Sequence, residues 1–453
     1  MFATLIHRKI FSINMNNHEL GTRSRNALWH PCTQMKFLET LPLVPIQRGQ
    51  GVWLYDYDGK RYLDGISSWW VNLFGHGNAH IKAAIADQLE KIEHVMLAGL
   101  THEPAVLLAE KLSARTDHKL GHSFFASDGA SATEIALKMS FHFWRNSGKP
   151  NKNTFVSLQN GYHGETLGAL SVTDVAIFKD AYAPLMRCSA VVPSPDFRLS
   201  AEGESARDYA LRCAAKLEQH FAEHHAGIAA FIVEPLVQGA AGMAMYDATY
   251  LSRARELCDQ YHIHFIADEI AVGFGRTGTF FAYEQANITP DFLCLSKGIS
   301  GGYLPLSVVL TSNKIYQAFY ADDVTRGFLH SHSYTGNALA CRAALATLDI
   351  FEHENILQTN RSKQKHINAL CGELKNIQYN QHVRNEGMIW AFDVKTANKN
   401  FARDFYAEAL LNELLLRPIG NTVYFMPPYV IDEQEAEFLV KSAVKTLHAV
   451  MKK

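Results

Sequence analysis

Two short apolar runs constrain the fold of this chain more than any other feature. They are His264-Phe265-Ile266-Ala267-Asp268-Glu269-Ile270 and Asp291-Phe292-Leu293-Cys294-Leu295-Ser296-Lys297. Each is too short for a stable helix and each is bounded by turn signals, the pattern of a buried strand covered on both faces. Ser123-Phe124-Phe125-Ala126, Thr154-Phe155-Val156-Ser157-Leu158 and Ala229-Ala230-Phe231-Ile232-Val233 repeat the pattern, with helical spacings between them. That alternation predicts an α/β fold with a mostly parallel central sheet flanked by helices. In such sheets ligands bind beyond the carboxyl ends of the strands. The two opening runs deliver Asp268 and Lys297 to that edge, and Gly298, Gly301 and Gly302 follow at once. A lysine held there, partly out of water, is suited to bonding a carbonyl compound as a Schiff base. A lone lysine after a strand is more often a surface residue. The paired Asp268, with Gly273-Phe274-Gly275-Arg276-Thr277-Gly278 behind it, favours the chemical reading.

Other strand ends add parts. Ser127-Asp128-Gly129-Ala130 leads from a strand into a helix carrying Ile135, Leu137, Met139 and Phe143. A strand, a glycine turn and a helix N-terminus form a cradle for phosphate, because free N–H groups and the helix dipole point at the anion. No GxxxxGK[ST] occurs, so this is not the loop of a nucleoside-triphosphate enzyme. Asn160-Gly161-Tyr162-His163-Gly164 sets an aromatic ring after a strand, available to stack on a flat ligand, and Glu234 ends another run. A phosphate cradle, a stacking ring, an acid and a lysine are what pyridoxal phosphate needs: an anchor, an amine for its aldehyde, and a carboxylate to keep its ring nitrogen protonated. Asp268 is the candidate for that last task.

The remainder sets limits. A chain of 453 residues has room for two or three domains and an ample core. Net charge is −2 with no sustained basic block, and no apolar run is long enough to span a bilayer, so neither a nucleic-acid nor a membrane partner is expected. The 7 cysteines include no CxxC pair, which suits buried thiols in a reducing, cytoplasmic setting. His262 and His264 on a presumed strand, and His330-Ser331-His332 in a loop, lack the third ligand of a zinc site, so no metal is expected. Residues 1–17 hold Arg8 and Lys9 and no acid; a disordered extension is expected, although a targeting peptide or a start at Met15 also suits the composition. Val52–Asp56 and Arg61–Asp64 flank Asp58-Gly59, a hairpin signal. Helical spacing covers His80 to Leu97 and Pro104 to Thr116. The expected division is 18–66 and 348–453 in a smaller α+β domain and 67–347 in the large one. Adjacent Trp69 and Trp70 cannot share one face of a strand or helix. At least one lines a surface or pocket, unless both rings sit in core or interface.

The stretch Phe265–Ile270 through Gly273–Gly278, followed by Ser296-Lys297-Gly298, resembles the class III aminotransferases of fold-type I pyridoxal phosphate enzymes, and the likeness runs from Trp29 almost to the end. Trp29-His30-Pro31, Ser68-Trp69-Trp70, Asn160–Gly164, Leu416-Arg417-Pro418 and Tyr424-Phe425-Met426-Pro427-Pro428 are similar to the branch of that class that forms diaminopelargonate in biotin synthesis. The resemblance implies an amino group moved from S-adenosylmethionine to 7-keto-8-aminopelargonate; a lysine-using variant, or another ω-aminotransferase of the class, is the alternative. It implies Lys297 as the Schiff-base lysine and proton shuttle, Asp268 at the ring nitrogen and Tyr162 stacked on the ring. Gly129 and Ala130, with Asp128 beside them, would face the phosphate. Ser333 would reach the phosphate of a neighbouring subunit, making a homodimer with sites at its interface. Trp69, Trp70 and Tyr424 would line the substrate channel and Arg417 would clamp the keto acid's carboxylate, unless Arg417 instead makes a structural ion pair. Two positions depart from the class. Asp128 stands where a small or hydroxyl residue is usual, so it is expected to turn away and cap the helix. Cys32 stands where an aromatic usually faces the substrate. A non-catalytic binding protein on this fold, or a zinc hydrolase, fits the intact Lys297 and Asp268 poorly.

Overall fold

The structure is a computed structural model and describes residues 16–452. Its centre is a seven-stranded sheet whose strands, in chain order, are β1 (His122–Ala126), β2 (Thr154–Leu158), β3 (Ala190–Val192), β4 (Ile228–Val233), β5 (His264–Asp268), β6 (Phe292–Leu295) and β7 (Ser307–Thr311). Across the sheet they lie in the order β1-β7-β6-β5-β4-β2-β3. All neighbours pair in parallel except at β7, which runs antiparallel to β6 and β1. The apolar runs became these strands because both sheet faces are buried. Phe231 and Phe265 point to one face, against the helices Ala206–His224 and Thr249–Gln260. Ile232, Ile266 and Phe292 point to the other, against α1 (Gly129–Asn146) through Ile135, Met139 and Phe143. The period-2 alternation of side chains is thus filled on both sides by apolar residues.

The chain ends build smaller sheets. Strands Trp53–Asp56 and Arg61–Asp64 form the expected hairpin around Asp58-Gly59. A strand from the far end of the sequence, Leu414–Leu415, joins its edge in parallel, with Leu414 opposite Leu63. Asn380–Glu386, Ile389–Val394 and Thr422–Phe425 form an antiparallel three-stranded sheet. Helices Ile356–Cys371, Phe401–Leu411 and Glu433–Met451 complete this part of the chain.

Three expectations shift. The helix expected over His80–Leu97 ends at Leu89, and the chain beyond it is drawn towards the 333–337 loop: His94 Nε2 lies 2.7 Å from the Ser333 carbonyl, and Asn337 donates to the Glu93 carbonyl at 3.0 Å. His262 is not on the strand; it sits in a turn at φ 53, and β5 begins at His264. The extension expected over 1–17 falls outside the described residues up to 15, and Asn17 already opens a helix, capped by Asn16. Five cysteines are buried, while Cys32 and Cys188 are exposed. No described helix is long and apolar enough to cross a membrane.

Candidate active site

The register of the central sheet sets the acid beside the amine. Asp268, the last residue of β5, pairs with Cys294 of β6, and Lys297 follows β6 within two residues. Lys297 has left-handed backbone, φ 45, a conformation that costs roughly 1–2 kcal/mol and is kept where the surroundings enforce it. The loop behind it needs glycine: at Gly302, φ +88, a Cβ would sit 3.0 Å from Asn72 Cα. That close approach brings the tryptophan segment to the lysine, and Lys297 Nζ lies 5.0 Å from the centre of the Trp70 ring. Burial holds the Lys297 ammonium below its ordinary pKa, against the pull of Asp268 and Glu234.

Asp268 is buried and oriented from two sides. Its Oδ2 is 2.7 Å from His163 Nδ1, and its Oδ1 accepts the Ile270 N–H at 3.1 Å. Each carboxylate oxygen has lone pairs to spare for a further donor. Tyr162 packs its ring edge-on to Phe178. Its N–H donates to Glu234 Oε1 and its hydroxyl to Glu165 Oε1, at 2.8 and 2.9 Å. Burial pushes the Glu234 carboxyl up to about 7. At the start of α1, Asp128 turns to the helix. Its Oδ1 accepts the Ser131 N–H and its Oδ2 the Ser131 hydroxyl. The first helical bond runs from Ala132 to Asp128, so the N–H groups of Gly129 and Ala130 have no helical partner.

The tryptophans reach the site through an unusual turn. Ser67, Ser68, Trp69 and Trp70 all have φ between 47 and 75, one turn of left-handed backbone. It is held by Asp64, which accepts from the Ser68 N–H and hydroxyl, and by the Ser67 hydroxyl on the Met426 carbonyl. The turn presents the two rings in succession: Trp70 is buried and donates its indole N–H to the Tyr424 hydroxyl at 3.1 Å, while Trp69 is 42% exposed. The parallel pairing of Leu63-Asp64 with Leu414-Leu415 sets Arg417 at the same end. The Arg417 guanidinium lies 5.2 Å from the Trp69 ring centre and donates to the Cys32 carbonyl at 3.2 Å. It is exposed, and among the described residues no carboxylate pairs with it; the buried ion pair weighed as its alternative is not there.

Two chambers result. One, of about 330 Å³, is lined by Gly129, Ala130, Tyr162, His163, Glu234, Asp268 and Lys297. The other, of about 280 Å³, is lined by Phe178, Ala240, Arg417 and Tyr424. Cys32, Trp69, Trp70, Tyr162, Glu165 and Lys297 belong to both. Burial and the Glu165 carboxylate hold the Cys32 thiol above its ordinary pKa. Ser333 lies outside both chambers, in an exposed turn. Asp128 lines an adjoining hollow with Gly129, Ser300 and Tyr303. Sequence reasoning missed His163 and Glu165 as site residues. Their signal was their place in the strand-end segment that holds Tyr162. Among the described residues no group of three or more His, Cys, Asp or Glu is placed to hold a metal.

The family model of class-III aminotransferases matches residues 37–447. The chain belongs to that family. This class-III aminotransferase is 47% identical over 447 residues to adenosylmethionine-8-amino-7-oxononanoate aminotransferase of Helicobacter pylori, covering 97% of this chain and 100% of that one. It is 42% identical to the enzyme of the same name from Anoxybacillus flavithermus, covering 92% and 94% of the two chains. Its fold matches the crystal structure of that enzyme from Methanocaldococcus jannaschii with a TM-score of 0.90, at 33% identity over 96% of this chain and 99% of the other. An amine transaminase from an uncultivated Pseudomonas species, in its PLP-bound form, matches with a TM-score of 0.88 at 31% identity over 94% and 99%.

Proposed function

We propose that this aminotransferase moves an amino group from S-adenosyl-L-methionine to 8-amino-7-oxononanoate (7-keto-8-aminopelargonate), giving 7,8-diaminopelargonate for biotin synthesis, with pyridoxal 5'-phosphate as its cofactor. The observation that carries the reading is the position of Lys297 at the junction of the two chambers, one with an acid and a helix N-terminus, the other ending in tryptophan and arginine. The names of the relatives supply the substrates.

The residues present suit the cofactor. Lys297 supplies an amine whose pKa burial lowers. Asp268 has unused acceptor capacity for the ring nitrogen, and His163 fixes its direction. Gly129 and Ala130 offer N–H groups to the phosphate, and Asp128, turned into the helix cap, keeps its charge on Ser131. The bound cofactor supplies an electron sink for the carbon that loses its proton. Lys297 Nζ would be placed to take that proton from the donor's α-carbon and, in the second half-reaction, to deliver one to the acceptor's former carbonyl carbon. Asp268 would hold the proton on the ring nitrogen, and Tyr162 would cover the ring. Ser333 of a second copy reaches the phosphate, so the working unit is a homodimer.

In the second chamber Trp69, Trp70 and Tyr424 cover the acceptor's methylene chain, and Arg417 grips its carboxylate with two parallel hydrogen bonds. Cys32 lies at the mouth, where its small side chain leaves room beside Glu165. That carboxylate faces a cationic donor, and lysine meets the same description, so it is the second reading for the donor. Holoenzyme mixed with one donor at a time separates them. Adenosylmethionine should bleach the absorbance of the lysine-bound cofactor and lysine should leave it unchanged. Bleaching by lysine alone would transfer the assignment to the lysine-using variant.

A further inference from the structure

The neighbouring hairpin strand, Thr422 and the distant Arg198 meet around the Asp393 carboxylate behind the substrate chamber. Asp393, on the strand Ile389–Val394, accepts from Arg384 at 2.9 Å and from the Thr422 hydroxyl at 2.8 Å through Oδ1. His382 Nδ1 is 3.0 Å from its Oδ2, and Arg198 Nη1 lies 3.3 Å from the same oxygen. Arg198 is also gripped by Asp196, through Nε and Nη2. Two arginines and two aspartates balance in charge, and the Arg384 side chain is only 1% exposed. Arg198 and Asp393 are largely buried too, at 14% and 19% exposed, and partly buried pairs are screened much less than surface ones.

What the arginines do with their remaining N–H groups gives the cluster a purpose. Arg198 Nη2 donates to the carbonyl of Ala241 at 2.9 Å. Arg384 donates to the carbonyls of Gly242 and Met243, at 2.5 and 2.9 Å. These are three consecutive carbonyls at the tip of the hairpin formed by Val237–Gln238 and Ala244–Met245. Gly242 has φ +73, and a Cβ there would lie 2.6 Å from Thr422 Oγ1, so the tip is seated directly on the cluster. The same tip begins with the chamber wall. Ala240 lines the substrate chamber. Gly239 lies so close to Trp70 that a Cβ would come within 2.9 Å of ring atom Cη2, and its N–H donates to Glu234 Oε2 at 2.8 Å.

We propose that Asp393 is a positioning residue for substrate: through Arg198 and Arg384 it pins the Gly239–Met243 tip, and the pinned tip fixes the width of the chamber between Ala240 and Trp70. The inference rests on the reading of that chamber as the site for the acceptor's chain. Pinning matters because a wall displaced by a fraction of an ångström weakens contact along a long methylene chain, whereas Lys297 and Asp268 themselves lie on other elements.

The test uses Arg198→Lys holoenzyme, which keeps the positive charge but cannot serve Asp196, Asp393 and the Ala241 carbonyl together. Thr422→Val is the second variant; it removes one bond to Asp393 and leaves every charge in place, so it answers if Arg198→Lys loses the fold. Amide exchange of the peptide spanning 239–243 should speed up by about threefold or more. KM for 8-amino-7-oxononanoate should rise by about 5–10-fold while kcat stays within about twofold. KM is read in parallel for a simple ω-amine, so that the chamber is probed even if the wild-type enzyme declines the keto acid. That refusal would count against the proposed substrate alone. Thr422→Ser should restore wild-type values. Unchanged exchange would show that the cluster does not hold the tip, and faster exchange with every KM unchanged would show that the tip does not shape the chamber; either result overturns the proposal.

Discussion

At the scale of single residues, the site consists of groups whose neighbours suit them to one task each. Lys297 sits where burial disfavours its charge, lowering its pKa, while the nearby Asp268 carboxylate opposes that effect. Lys297→Ala should give folded protein in which borohydride traps no covalent cofactor on the peptide containing residue 297, as read by mass spectrometry, and turnover should fall by at least ~10²–10⁴-fold. Trapping that persists at the wild-type level would move the linkage to another lysine. Arg417 is the residue we propose to discriminate substrates. It is exposed, steadied by the Trp69 ring and the Cys32 carbonyl, and free of any carboxylate among the described residues. Arg417→Ala should raise KM for the keto acid by about 10–100-fold, roughly 1.5–3 kcal/mol, with much less effect on the donor half-reaction. Because its present contacts are few, its melting temperature should hardly move. Equal damage to both half-reactions with a lowered melting temperature would mark Arg417 as structural.

At the scale of elements, burial of the strands carries a pH dependence. His264 opens β5 between Trp144 and Phe143, with Nδ1 on the Ser140 hydroxyl at 2.8 Å, and burial lowers its pKa from the ordinary 6.5 to about 4. Below about 6.5 the unfolded chain takes up a proton that the folded chain refuses. Stability from this group is therefore complete above that pH and drains away as pH falls towards 4, by about 2 kcal/mol between pH 7 and pH 5. Urea midpoints at the two pH values should show the loss in the wild type and a flatter response in His264→Phe. A wild type as flat as the variant would mean that His264 gains its proton in the folded state. These strands were legible in the sequence because an apolar run with a polar end has few other solutions, and the Asp58-Gly59 hairpin was legible from its turn. What was not legible depends on distant partners. Nothing in Ser67-Ser68-Trp69-Trp70 marks left-handed backbone; Asp64 and the Met426 carbonyl impose it. Leu414-Leu415 is too short to show a strand period, so its union with the hairpin, which sets Arg417 beside the tryptophans, could be read only from the pairing itself. His163 meets Asp268 across 105 positions of sequence, beyond the reach of any local pattern.

At the scale of the whole molecule, the open question is what completes the site. Ser333 stands in an exposed turn outside its own chain's chambers, as a residue serving a neighbour would. Sedimentation should find a homodimer with an interface above ~2,000 Å² in total, and Ser333→Ala should weaken cofactor retention. A fully active monomer at low concentration would rule the shared site out. We propose that one lysine in this cavity drives amino transfer to a long-chain keto acid. The most direct test is product formation: holoenzyme, S-adenosyl-L-methionine and 8-amino-7-oxononanoate are incubated together, and 7,8-diaminopelargonate is followed by mass spectrometry. Product should need both substrates and should disappear with Lys297→Ala. No diaminopelargonate from either adenosylmethionine or lysine, with brisk transfer from simple ω-amines to other carbonyl acceptors, would contradict it.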